Sequence, residues 1–108
     1  MGAQMVQDAV KGLLEISDTL SDDLSVEQLD AAVKRLDALA APLSEDDVRA
    51  LLSLFPPEGD TAFGLNWTVL HTIEAAPCWP LWDTLQDEHS EWTRIFRLRL
   101  ANADLLLP

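Results

Sequence analysis

Three side chains in one short stretch have types and spacing that could do chemistry: His71, Glu74 and Cys78. A helix would set His71 and Glu74 one turn apart on the same face, where an imidazole and a carboxylate could share a divalent metal or a proton. A stable metal site, however, needs three or four ligands of defined geometry. The second histidine, His89, falls in a turn beside Ser90 with no ligand spacing to the pair. No H-E-x-x-H motif or cysteine cluster accompanies them. His71 is therefore expected to be half-buried, its ring bonded to a backbone carbonyl or a neighbouring side chain. Cys78 and His71 could form a thiol–imidazole pair, but Cys78 stands between Pro77 and Trp79, where a small apolar filler is the default role. No third orienting residue, glycine-rich phosphate loop or nucleophile elbow is present. The sequence predicts no catalytic residue, no metal site and no cofactor, and hence a protein that is not an enzyme.

The same stretch is rich in tryptophan. Trp67, Trp79, Trp82 and Trp92 all lie in the second half of the chain. Stacking on bases would require a basic groove beside them, and the charge argues against one. The chain carries 19 Asp plus Glu against 7 Lys plus Arg, a formal net charge of −12 in 108 residues. Such a field attracts basic partners and repels nucleic acid and anionic membranes. Three of the tryptophans fall on apolar helical faces and belong to the core. Trp79, between two prolines in a connection, is expected to be partly exposed and available as an interface anchor.

The elements that must position these residues read as helices throughout. Val6, Ala9, Leu13, Ile16 and Leu20 follow a three-and-four spacing, and Ser21-Asp22-Asp23 breaks it. Ser25 with Gln28 makes a capping box for a second helix whose apolar seam is Val26, Leu29, Val33, Leu36 and Ala40, ended by Pro42. Ser44 caps a third, with Glu45, Asp46 and Asp47 set against its positive end and Val48, Leu51, Leu52 and Phe55 buried. Pro56-Pro57 stops it. A fourth helix is predicted over 62–76, with Phe63, Trp67, Leu70 and Ile73 inward and Gly64 admitting a close helix neighbour. Pro80 suits the start of a short fifth with Leu81, Trp82 and Leu85. Ser90 caps a sixth with Trp92, Ile95, Phe96 and Leu100 inward, and the apolar tail Leu105 to Pro108 docks or frays.

Helices without strands mean an all-α fold: five to six antiparallel helices in stacked hairpins or an irregular bundle, with HEAT-like pairing as a variant, forming one domain over 1–108. The lone cysteine excludes an internal disulfide and fits a reducing compartment. Met1 to Val10 have neither the basic region nor the apolar run of a secretory signal, and no stretch approaches the roughly 20 apolar residues of a membrane span. A soluble, cytoplasmic protein is expected.

The acids remain. Many serve helix starts and solubility. Residues 1–60 hold 13 acidic and 4 basic residues, and residues 61–108 hold 6 and 3. If the helices alternate in direction, the starts of the second, fourth and sixth share one end. Asp22 and Asp23, Glu58 and Asp60, and Asp87, Glu88 and Glu91 would then converge there. Arg94, Arg97 and Arg99 form a small basic strip on the last helix, and Glu91 with Arg94 has the i, i+3 spacing of an internal pair.

The run Gly59-Asp60-Thr61-Ala62-Phe63-Gly64-Leu65-Asn66-Trp67, with Leu70-His71-Thr72-Ile73-Glu74 and Pro77-Cys78-Trp79-Pro80, resembles small bacterial helical proteins encoded beside secreted toxins, the immunity proteins of contact-dependent or polymorphic toxin systems. The resemblance covers about the second half of the chain. It implies a non-enzymatic intracellular protein that binds one cognate toxin domain and blocks its active site or substrate entry. Toxins that act on nucleic acid are often basic, which suits an acidic inhibitor. The expected partner surface is Asp22, Asp23, Glu58, Asp60, Asp87 and Glu88, with Trp79 as anchor. A helical scaffold or adaptor binding a peptide or sister subunit is the alternative.

Overall fold

Two serines start helices where the sequence predicts, each in a capping box. In the computed structural model, which describes residues 6–56, 58–87 and 89–102, Ser25 Oγ accepts the Gln28 N–H at 3.1 Å and Gln28 Oε1 accepts the Ser25 N–H at 2.8 Å. This opens α2, Val26–Asp37. The Gln28 amide also donates to the Ile16 carbonyl at 3.2 Å, tying the start of α2 to the end of α1, Asp8–Ile16. At the start of α3, Glu45–Leu52, Ser44 Oγ accepts the Asp47 N–H at 3.0 Å and Asp47 returns a carboxylate oxygen to the Ser44 N–H at 3.2 Å. The remaining elements are α4, Leu65–Glu74, a 3₁₀ turn at Trp82–Leu85 and α5, Glu91–Asn102. The fold is all-α, and no strand occurs among the described residues. None of the helices among them is long and apolar enough to cross a membrane.

Asp47 does more than cap. It is buried, and its two oxygens also accept the backbone N–H of Gln7 at 2.9 Å and the Gln7 side-chain amide at 3.0 Å. Gln7 in turn accepts the Ala40 N–H at 2.8 Å and donates to the Ala40 carbonyl at 3.1 Å. The segment before α1, the connection after α2 and the start of α3 are thereby joined through one carboxylate.

Packing runs from α2 to α1, from α1 to α3, from α3 to α4, and from the 3₁₀ turn to α5. Gly12 lets the Arg35 stem lie across α1, since a β-carbon there would sit 2.6 Å from Arg35 Nε. The core is closed by a chain of rings. Trp67 meets Trp92 edge-on at 5.1 Å, Trp92 meets Phe55 at 4.9 Å, Phe55 meets Phe96 edge-on at 5.4 Å, and Trp79 tilts against Phe96 at 4.9 Å. Pairs at these separations add about 0.5–1.5 kcal/mol beyond their buried area.

Several expectations are corrected. α1 ends at Ile16, so Leu20 is buried from the following loop, where its N–H donates to the Leu54 carbonyl at 2.7 Å. α2 ends at Asp37, before Pro42 can act, and its buried stripe is Ala32 flanked by Leu29 and Leu36. Val26 and Val33 are exposed, because α2 rests mainly on the single helix α1 and a narrow stripe covers that contact. The fifth helix is only a 3₁₀ turn, though Leu85 is buried as expected. The sixth stands as predicted: Trp92, Phe96 and Leu100 are buried and Ile95 packs beside them. Pro57 and the tail from Leu105 to Pro108 lie outside the described residues.

Burial pushes the Asp47 carboxyl up, but the hydrogen bonds from Gln7 and Ser44 outweigh it and hold the group below its ordinary value. A carboxyl whose folded value is depressed stabilises the fold fully above its unfolded value and loses that contribution as pH falls through the folded one. Asp47→Ala should therefore cost about 2 kcal/mol at neutral pH. The gap to the parent, read by urea unfolding, should narrow as the medium is acidified below about pH 4.

Candidate functional site

The pair with the most chemical promise in the sequence is already occupied. Arg99 on α5 clamps Glu74 with two hydrogen bonds, Nε to Oε2 at 2.6 Å and Nη2 to Oε1 at 2.9 Å. His71 lies 3.5 Å from the same carboxylate with its ring 62% exposed, not half-buried as expected. Both Glu74 oxygens thus accept from one guanidinium, in the geometry of a bidentate structural bridge between α4 and α5. Among the described residues no group of three or more His, Cys, Asp or Glu is placed to hold a metal. Cys78 is partly buried and packs against the core.

Three other arginines are also engaged. Arg94 pairs with Glu91 at 3.0 Å, as the spacing predicts, and Arg97 donates to the Leu85 carbonyl. Arg49 on α3 bridges Glu45 and Asp83, holding the Asp83 carboxyl below its ordinary value through hydrogen bonds that tie α3 to the 3₁₀ turn.

Two of the acidic turns meet. The Asp22 carboxylate accepts the Ala62 N–H at 2.9 Å, and the Asp60 carboxylate accepts the Asp22 N–H at 3.1 Å, so the turns before α2 and α4 are clamped reciprocally. The Asp60 carbonyl accepts the Trp92 indole N–H at 3.0 Å and the Asn66 amide at 2.8 Å. A second bond of 2.8 Å runs from that amide to the Leu20 carbonyl. The start of α5 closes the group, for a β-carbon on Gly59 would sit 2.7 Å from Glu91 Cγ. Asp22, Asp23, Glu58 and Asp87 are exposed, and Asp60 is partly so. The Asp87 carboxylate also accepts the His89 N–H at 3.0 Å, folding its own turn. Glu88 lies outside the described residues.

Trp79 is partly exposed, but its ring packs on Phe96 and its indole nitrogen is buried without a hydrogen bond. The aromatic groups that do face outward are ones assigned to the core by periodicity, Phe63 at 73% exposure and Trp67 at 37%. The reason is local. Ala62, Phe63 and Gly64 have φ of 50°, 57° and 92°, three successive left-handed residues, so α4 begins at Leu65 and not at residue 62. The backbone N–H groups of Gly64 and Asn66 both bond the Thr61 carbonyl. Gly64 is there for its positive φ, since a β-carbon on it would meet nothing within 4 Å, and the expected close helix neighbour is absent. A glycine interrupting a helical pattern was the available signal that the helix starts late.

Comparison of the chain with family models, curated proteins and solved structures yields no match.

The reciprocal clamp separates structural from surface acids. Asp22→Ala strips the acceptor from a partly buried N–H and should cost about 1 kcal/mol in urea unfolding. Asp23→Ala, one residue along and exposed, should stay within about 0.5 kcal/mol of the parent.

Proposed function

We propose that this chain is a non-enzymatic protein-binding domain, an immunity protein that neutralises a cognate basic toxin domain inside a bacterial cell. The observation that carries the reading is the bonding of the Asp22 and Asp60 turns to each other, with Glu91 at the start of α5 packed on Gly59, in a chain with net charge −12. Asp22 and Asp60 spend part of their charge on the clamp between turns, whereas Asp23 and Glu58, close to them in the chain, and Asp87 in the turn before α5 are exposed. Their proposed role, with Glu88, is electrostatic docking. Complementary charge raises the association rate, and buried apolar contacts set dissociation. Nucleic acid and anionic membranes, which share the sign of this field, are not its partners.

The test is co-expression with the C-terminal toxin domain encoded beside this chain's gene. Rescue of growth is expected, and a complex whose association rate falls as salt rises. A neighbourhood without a secreted toxin, or no rescue by a well-expressed chain, would overturn the reading. An association rate indifferent to salt would remove the acidic turns from the contact.

A further inference from the structure

Among the described residues, five large apolar residues are exposed: Val26, Val33, Phe63, Trp67 and Leu98. Their electrostatic settings differ. Val26 and Val33 share α2 with Lys34 and Arg35, and Leu98 stands between Arg97 and Arg99. The charged groups bonded to the turn that carries Phe63 are acidic. The N–H of Ala62, immediately before Phe63, is bonded by the Asp22 carboxylate, Asp60 lies three residues back, and exposed Asp23 follows Asp22.

Phe63 is also a residue that the backbone does not favour. At φ 57° a β-carbon is strained, and glycine or asparagine would sit there more comfortably. The ring gains little from the fold in exchange, since it is 73% exposed. Trp67 has its other side against Trp92, so its exposed part rests on a fixed base. Two exposed aromatic residues, one of them resting on a buried ring, with Asp22 and Asp60 bonded to the turn that leads into them, have the make-up of a binding hot spot with a charged rim.

We propose that Phe63 and Trp67 form the apolar anchor of the partner-binding surface, and that they receive a segment of the basic partner carrying an apolar side chain flanked by Lys or Arg. This rests on the reading of the chain as a binder of basic protein, and it assigns the anchor to the turn before α4 instead of to Trp79. A second copy of this chain is disfavoured as occupant, since it would bring like charge to the same turns.

The probe is a synthetic peptide with one leucine between paired Lys and Arg residues, compared by NMR titration with an oligolysine of equal charge. The leucine peptide is expected to move the Trp67 indole signal and the amides of residues 59–67, and to bind about tenfold tighter than oligolysine. Phe63→Gly should keep or raise the melting temperature, because glycine suits the left-handed φ, while weakening the leucine peptide about tenfold and leaving oligolysine unchanged. Phe63→Asn, also tolerant of that φ, provides a second ring-free variant. Equal binding of the leucine peptide to these variants and the parent, signals that move only elsewhere, or no shifts at millimolar peptide would each overturn the proposal. A toxin complex untouched by Phe63→Gly would remove the anchor and leave the immunity reading standing. Peptide binding at this turn without rescue from any toxin would do the reverse.

Discussion

The carbonyl oxygen of Asp60 accepts both the Trp92 indole N–H and the Asn66 amide, and through them the surface turn is fastened to the core. Trp92 links Trp67 to Phe55 in the chain of rings and is 1% exposed. Its only polar atom needs a partner when buried, and the turn supplies one. The same turn offers the Asp60 carboxylate to the Asp22 N–H, while Asp22 caps Ala62. Core packing and the acidic surface therefore depend on one another. Asn66 completes the junction with two donor bonds, although its own carbonyl oxygen is buried without a hydrogen bond. An unmet acceptor costs about 1–3 kcal/mol, so the paired donors and the surrounding packing must offset it.

That fastening explains why α4 starts late. A helix beginning at residue 62 would give the Ala62 N–H and the Asp60 carbonyl different surroundings, and Trp92 would lose its acceptor. The chain instead turns left-handed through Ala62, Phe63 and Gly64, and the residues that helical periodicity buries are rotated outward. Left-handed conformations of non-glycine residues cost of order 1–3 kcal/mol and persist only where neighbours over-determine them. Here the neighbours are the Asp22 carboxylate, the Thr61 carbonyl with its two N–H donors, and the buried Ala62 side chain.

Charge in this chain is divided among distinct tasks. Asp47 is an interior joint, Glu74 is neutralised by a bidentate arginine, and Asp22 and Asp60 are half structural and half solvent-facing. Composition cannot separate these roles, because a carboxylate in a capping box and one on an open turn contribute equally to a net charge. The partners identify them. Among the acids without such ties, Asp23 and Glu58 stand next in the chain to the members of the clamp and are exposed.

Local signals determined much of the secondary structure. The capping box at Ser25, the cap at Ser44 and the inward face of α5 were legible because each depends on residues within one or two turns of a helix. The Glu91–Arg94 pair was legible for the same reason. Tertiary structure decided what spacing cannot express. Arg99 reaches Glu74 across 25 residues and Asp22 reaches Ala62 across 40, so neither partnership has a local signature. The exposure of Phe63 and the inward packing of Trp79 follow from those distant bonds and from the ring cluster. The sequence by itself thus specified helices and an acidic chain, whereas the fold decided which acids are spent on structure and which rings face solvent. The physical reason is that side-chain direction at a turn is set by backbone dihedrals, and at residues 62–64 long-range hydrogen bonds choose those dihedrals over local propensity.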